Sequence, residues 1–406
     1  MKLKPIIESL LETDQYKVNM QQVVLHQFNK DRVVWTFKCR NEGVKFTPEM
    51  IAEIREQVDH FCSLRFKEDE LEWLGRNLPW LSEDYIDFLG DWRPHRRDIF
   101  VNEGNIQPYN DCGLAIEAHG TWLRTMMYEI PILAIVNEVY FAFRHGAGAL
   151  DVDYQTSTVE KFADLAAGRY DVGAFSEFGM RRRYSRDMQD WLVKFIAAKK
   201  VPGFVGTSNL YLARKYGVKA VGTMAHEYIM AVGQGHHEHD AAYSNHFALK
   251  AWNREYGVQN GIALIDTLGT KVFLRDFDQN FATLFSGVRH DSGDPLAWGE
   301  DLIAHYEKLG IDPKTKTLLF SDSLDFERAT AIKRHFDGKA KVAFGIGTYL
   351  SSVPAKYGPL NIVMKLTTVN GSPVAKISDT PGKGMCRDAG YVDYLKRGLA
   401  WRLAHD

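Results

Sequence analysis

The segment FSGVRHDSGDPLAWGEDLIAHYEKLGIDPKTKTLLFSDS, residues 285–323, holds one complete unit of the fold. An apolar run, Phe285–Arg289, leads into the polar loop His290-Asp291-Ser292-Gly293-Asp294. Pro295 opens a helical pattern, Leu296–Leu309; proline is favoured at the first helical position because its missing N–H would lack a partner there anyway. A second apolar run, Thr317–Phe320, follows and ends in another polar loop, Ser321-Asp322-Ser323. Strand, loop, helix, strand in this order argues for parallel strands joined by crossover helices.

The same rhythm extends outward, from about residue 170 to 350. Further strands are expected at Gly203–Gly206, Ala220–Thr223, Gly261–Asp266 and Val342–Gly345. Helices are expected at Trp191–Lys199, Leu210–Tyr216, His246–Tyr256 and Phe326–Phe336. That many units predict an α/β fold built on an irregular βα barrel, with a flatter doubly wound sheet as the alternative. Residues 1–130 mix both patterns: a helix over Pro48–Leu64, a short one capped by Ser82, and a strand at Val33–Cys39. Near the end, Asn370-Gly371 separates two apolar runs, Asn361–Val369 and Pro373–Ile377, which is a hairpin signal. The expected organisation is an α+β N-terminal domain (1–130), a barrel (131–350), and C-terminal strands with a helix (351–406) completing the N-terminal domain.

Composition narrows the setting. The chain has 406 residues and a formal net charge of -2, so no global field favours nucleic acid or an anionic membrane. Any anion must be held by a local site. Cys39, Cys62, Cys112 and Cys386 form no CxxC pair, which suits reduced thiols and a cytoplasmic location. The apolar stretch Ile130–Phe143 carries Asn137 and Glu138 and reads as a buried helix, not a membrane span.

In a βα barrel the chemistry sits just beyond the carboxyl ends of the strands. Those exits carry Thr207-Ser208-Asn209, His226-Glu227, His290–Asp294, Ser321-Asp322-Ser323 and Ile346-Gly347-Thr348. The two glycines of Phe344-Gly345-Ile346-Gly347-Thr348 let backbone N–H groups approach a phosphate, although glycines in this place also make plain turns. Arg289 offers a fork for phosphate or carboxylate, and Asp291 suits ribose hydroxyls or Mg²⁺; a helix cap accounts for one carboxylate of that cluster but not for all of it. Phe178-Gly179-Met180-Arg181-Arg182-Arg183 sets an aromatic beside three arginines, at least one of them expected to be plain surface. The loop Gly235-His236-His237-Glu238-His239-Asp240 has zinc-type ligands, but adjacent histidines do not readily face one ion, so a polar loop is the favoured reading. His226 follows a strand exit, where a neutral imidazole could attack a phosphoryl group or serve only the structure.

Taken in order, Leu11–Lys17, Phe175–Arg183, Gly206–Asn209, Gly222–Glu227, Arg289–Pro295, Phe320–Asp322, Phe344–Thr348, Lys376–Asp379 and Pro381–Lys383 resemble nicotinate phosphoribosyltransferases. The resemblance implies a type II phosphoribosyltransferase fold. It implies nicotinate, phosphoribosyl pyrophosphate and ATP as substrates, with Mg²⁺ bound mainly through their phosphates, and nicotinate mononucleotide and pyrophosphate as products. It also implies that His226 is phosphorylated by ATP. Tyr16 and Phe178 would sandwich the pyridine ring, with Tyr16 supplied by a neighbouring subunit of a homodimer. Arg181 and Arg289 would meet anionic groups, and Asp291 and Asp322 ribose hydroxyls. Gly345, Gly347 and Thr348 would hold the 5′-phosphate, while Thr207, Ser208 and Ser292 complete the substrate-binding set. Related nicotinamide-using enzymes carry an aspartate where this chain has Ser208, so the acid is expected over the amide. The rival readings are a nicotinamide phosphoribosyltransferase, a metal-dependent barrel hydrolase built on His236, His237, His239 and Asp240, and a non-catalytic nucleotide-binding protein.

Overall fold

The structure is a computed structural model that describes residues 2–105, 111–146, 152–259, 261–351, 358–380, 384 and 386–405. The Pro381-Gly382-Lys383 motif lies outside the described residues. Among these residues the chain forms two sheets.

The first sheet is antiparallel. Its strands are β1 (Arg32–Cys39), β2 (Ile99–Glu103) and β3 (Leu114–Thr121) from the first part of the chain. Beside β1 lies β11 (Ile362–Val369), followed by the short β12 (Ser372–Pro373). The order is β12-β11-β1-β3-β2, with Val33 opposite Val369 and Cys39 opposite Ile362. The C-terminal hairpin therefore completes the N-terminal sheet, with Asn370 and Gly371 in the positive-φ conformations such a turn needs. The expected return strand is shorter than its apolar run: regular pairing stops at Pro373, which has no N–H to donate.

The helix Glu129–His145 is buried over most of its length, including Asn137. With the preceding turn it forms the one described segment, Trp122–His145, long and apolar enough to cross a membrane, and 83% of its most apolar window is buried inside the protein. Asn137 Nδ2 donates to the carbonyl of Arg183 at 2.6 Å, which satisfies the donor side of this buried amide. Ser82 precedes the helix Glu83–Asp91 as expected, but its side chain does not cap it; Ser82 N instead donates to Gln22 Oε1 at 2.8 Å.

The second sheet is parallel and holds seven strands: β4 (Ala174–Glu177), β5 (Phe204–Thr207), β6 (Lys219–Ala220), β7 (Ile262–Leu264), β8 (Gly287–His290), β9 (Thr317–Phe320) and β10 (Lys341–Ile346). The order β6-β5-β4-β10-β9-β8-β7 leaves β6 and β7 as free edges. The sheet is thus an open half-barrel, and all its carboxyl ends meet on one rim.

Periodicity misses an interior strand, β4. It has four residues, of which Ser176 and Glu177 are polar yet buried, so no alternation marks it. It forms because β5 and β10 pair with it from both sides. The strand expected at Ala220–Thr223 ends at Ala220, freeing Val221–Thr223 for the rim. Around the sheet the helices behave as their sequences dictate. Asp294 caps Pro295–Lys308 by accepting from Ala297 N at 2.8 Å, so this carboxylate belongs to the helix.

Candidate active site

Glu177 closes β4 with a carboxylate that is fully buried. It accepts from Gly179 N at 2.6 Å, Thr207 Oγ1 at 2.6 Å and Gln189 Nε2 at 3.1 Å, which locks the ends of β4 and β5 together. Phe178 follows, its N–H bonded to the Ile346 carbonyl at 2.9 Å. A Cβ on Gly345 would fall 2.4 Å from the Phe178 ring. Glycine there leaves the room the Phe178 ring needs against the β10 backbone. Gly347 is also close, 3.1 Å from the Phe178 carbonyl to where its Cβ would be.

Opposite stands the start of the helix Gln15–Gln27. Asp14 bridges Asn209, and Gln15 N donates to the Ser208 carbonyl at 2.8 Å. Tyr16 thereby faces the same cavity as Phe178 of its own chain. This corrects the expectation that Tyr16 comes from a neighbouring subunit: β5 and the first helix are stitched together within one chain, and both aromatics reach the cavity without a partner. Ser208 donates its hydroxyl to Asp14 at 2.6 Å, and burial pushes the Asp14 carboxyl up to about 6.

The cavity holds about 550 Å³. His226 lines it; its Nδ1 lies 2.9 Å from Thr267 Oγ1 and its Nε2 lies 3.1 Å from Asp291 and 2.9 Å from Lys376 Nζ. Burial and then the Lys376 charge push the imidazole down to about 4, so it is neutral at physiological pH. One tautomer cannot serve both partners at Nε2, since Lys376 needs a lone pair and Asp291 a proton. Burial opposes the charge of Asp291, but Arg289 and His226 hold its carboxyl well below the usual carboxylate range. Arg289 in turn reaches Thr223 Oγ1 at 2.6 Å and Asp291 at 3.3 Å, so one nitrogen of its fork fixes Asp291.

His226, Asp266 and Asp291 are close enough together to hold a metal. Lys376 already lies among them, 3.0 Å from Asp266, and supplies the compensating charge. Asp322 and Asp325 also line the cavity and carry the hard oxygen donors that Mg²⁺ takes, although Asp325 already caps the helix Phe326–Phe336 through Arg328 N at 2.7 Å.

Cations converge on the remaining wall. Arg40, Arg181, Arg182 and Lys365 all line the cavity. Burial pushes Arg182 down to about 9 and Lys365 down to about 7; Arg181 and Arg40 add to the effect at both. Arg40 Nε is buried and makes no hydrogen bond. Cations crowded so closely call for an anion.

The structure thus brings His226, Tyr16, Phe178, Arg181, Ser208, Arg289, Asp291, Asp322, Gly345, Gly347 and Thr348 to one cavity. Thr207 and Ser292 stand behind its wall. Thr207 is spent on Glu177, and Ser292 is bonded to Asp266 beneath His226. Arg183 is neither ligand-facing nor surface: it is 1% exposed and pairs with Glu12 at 2.8 Å. The His236 loop is a polar turn. His236 pairs with Asp31 at 3.1 Å, His239 stacks on Phe247 at 3.8 Å, and Asp240 caps the turn that follows. Sequence reasoning missed Asp14, Arg40, Glu129, Glu227, Lys365 and Lys376 as cavity residues. Of these Asp14, Glu227 and Lys376 carried a signal, their places in family-like motifs, while Arg40, Glu129 and Lys365 carried none.

Fold and site together define a class: an α/β enzyme with a cation-lined cavity, bordered by Tyr16 and Phe178, at the carboxyl rim of an open parallel sheet. The nicotinate phosphoribosyltransferase (NAPRTase) N-terminal domain matches residues 11–137, and the nicotinate phosphoribosyltransferase (NAPRTase) family matches residues 174–401. The chain belongs to this family. A nicotinate phosphoribosyltransferase of Cupriavidus necator is 44% identical over 400 residues, 97% of this chain and 98% of that one. The crystal structure of the Porphyromonas gingivalis nicotinate phosphoribosyltransferase superposes with a TM-score of 0.88 at 33% identity, covering 97% of this chain and all (100%) of that one. The Vibrio cholerae nicotinate phosphoribosyltransferase gives 0.89 at 33% identity, covering 100% and 99%.

Proposed function

We propose that this chain transfers phosphoribosyl from phosphoribosyl pyrophosphate to nicotinate, giving nicotinate mononucleotide and pyrophosphate on the way to NAD, and that ATP hydrolysis is coupled to the transfer through His226. The observation that carries this reading is the company kept in one cavity. Two aromatic rings, a wall of crowded cations and a neutral histidine lie within a single 550 Å³ space.

Each part has a task. Tyr16 and Phe178 hold a flat ring to one plane, so that its nitrogen is aimed at the sugar's C1. Arg40, Arg181, Arg182 and Lys365 take up the negative charge of the departing pyrophosphate. Asp291 and Asp322 accept from ribose hydroxyls, and Gly347 and Thr348 meet the 5′-phosphate. Asp322 and Asp325 would help to hold Mg²⁺ alongside the substrate phosphates, and the ion would supply charge neutralisation at the leaving group. The ring nitrogen of nicotinate bonds to C1 as the C1–oxygen bond to pyrophosphate breaks, so no protein nucleophile is needed at the sugar.

His226 acts on ATP. A ring nitrogen of the neutral imidazole bonds to the γ-phosphorus as the bond to the bridging oxygen breaks and ADP leaves. Water later returns the phosphoryl group as phosphate. Charge added at His226 acts directly on Asp291 and Lys376, both in the cavity wall, and so biases substrate binding. Both aromatics come from one chain, so the reading does not require a second subunit to complete the ring site.

The test is direct. Protein incubated with nicotinate, phosphoribosyl pyrophosphate, Mg²⁺ and ATP should form the mononucleotide. His226→Ala should abolish the ATP-coupled turnover and leave slow uncoupled transfer; full ATP coupling in that variant removes His226 from the mechanism.

A further inference from the structure

Beneath Phe178 the half-barrel is hollow. A second chamber of about 320 Å³ shares Phe178, Gly222 and Thr223 with the first cavity. It runs to Ala220 on β6 and Ile262 on β7, the two free edges of the sheet. In a closed βα barrel this space is filled by layers of bulky side chains. Here closure fails between β6 and β7, β4 contributes only Ser176 to the chamber, and β10 contributes nothing.

The lining has a distinct chemistry. Trp80, Trp252 and Tyr256 give it aromatic walls. Lys219 also lines it; this residue is exposed and makes no ion pair among the described residues. The phosphate-type groups are elsewhere: Arg40, Arg182, Lys365 and Lys376 line only the first cavity. One end of the path thus suits a diphosphate-bearing sugar. The other suits a flat aromatic ring with a single negative charge.

Displacement at a sugar's C1 brings the incoming nitrogen to the face opposite the departing pyrophosphate. A sugar seated among the cations therefore needs its base on the Phe178 side, and a bound sugar diphosphate obstructs the first cavity to anything arriving later. We propose that the second chamber is a binding site and access path for the aromatic carboxylate: nicotinate passes Lys219 between the free edges β6 and β7 and reaches the Tyr16–Phe178 pair while phosphoribosyl pyrophosphate occupies the first cavity. This rests on the function proposed above and adds where the acid binds first and by which way it arrives.

The test is nicotinate association, followed by tryptophan fluorescence in stopped flow, to enzyme preloaded with phosphoribosyl pyrophosphate. Lys219→Glu should slow association about tenfold at low salt, with the difference fading at high salt, because steering by an exposed charge is screened. Ile262→Trp should slow it at every salt concentration by narrowing the chamber, while KM for phosphoribosyl pyrophosphate stays put and shows that the variant is folded. Association rates equal to wild type in both variants overturn the chamber as a path. Failure of the wild type to form any nicotinate mononucleotide is a different outcome and removes the underlying function instead.

Discussion

Lys376 Nζ stands 2.9 Å from His226 Nε2, although the two residues are 150 positions apart in the chain. The ammonium comes from the segment after the C-terminal hairpin, the imidazole from the rim of the half-barrel. Burial, and after it the Lys376 charge, disfavour protonation of the imidazole and keep the histidine neutral.

Removing that charge should be visible as a titration. In Lys376→Met the His226 pKa is expected to rise from about 4 towards the ordinary 6.5, because one of the two causes depressing it is gone. A raised pKa means protonation at higher pH, so the acid limb of ATP-coupled activity should move up in pH. Histidine NMR signals and the pH–rate profile check this; an acid limb that stays in place argues that Lys376 does not control the imidazole.

Ser208 is the position expected to favour the acid over the amide. Its hydroxyl donates to Asp14, a carboxyl already raised to about 6 by burial. Ser208→Asp would set two carboxylates in contact next to the ring site. The specificity constant for nicotinate should fall relative to that for nicotinamide. A ratio that does not move shows that the discrimination lies elsewhere.

The three arginines after Phe178 should separate cleanly. Arg183→Met leaves Glu12 buried with only Arg186 to answer it, at 3.0 Å. Breaking a buried pair in this way costs about 3 kcal/mol or more, to be read by chemical denaturation. Arg182→Gln relieves the crowding with Arg181 and Arg40, so stability should hold or rise while KM for phosphoribosyl pyrophosphate increases. Equal effects on stability in the two variants would contradict the assignment.

Gly345→Ala places a methyl group 2.4 Å from the Phe178 ring. The ring must tilt, and overpacking of this kind costs about 1–3 kcal/mol. The expected result is a higher KM for nicotinate with KM for phosphoribosyl pyrophosphate nearly unchanged. A loss confined to phosphoribosyl pyrophosphate would instead assign Gly345 to the phosphate.

What the amino-acid sequence determined by itself was the alternation. Residues 203–346 spell out strands, polar exits and capped helices, and Asn370-Gly371 spells out the hairpin, because these depend on spacing and turn chemistry over a few neighbours. That was enough to place Asp291, Asp322 and Gly347 on one rim. Tertiary structure alone decided the rest. β4 exists because β5 and β10 supply its hydrogen bonds, and Glu177 is tolerated in the interior because Gly179, Thr207 and Gln189 satisfy it. Tyr16 joins Phe178 in one chain, and Arg40, Lys365 and Lys376 reach the cavity from the strands and loops of the other sheet. Charge and burial act through space and not along the chain, so which arginine is buried, which histidine is neutral and which cations crowd together are fixed only once distant segments pack.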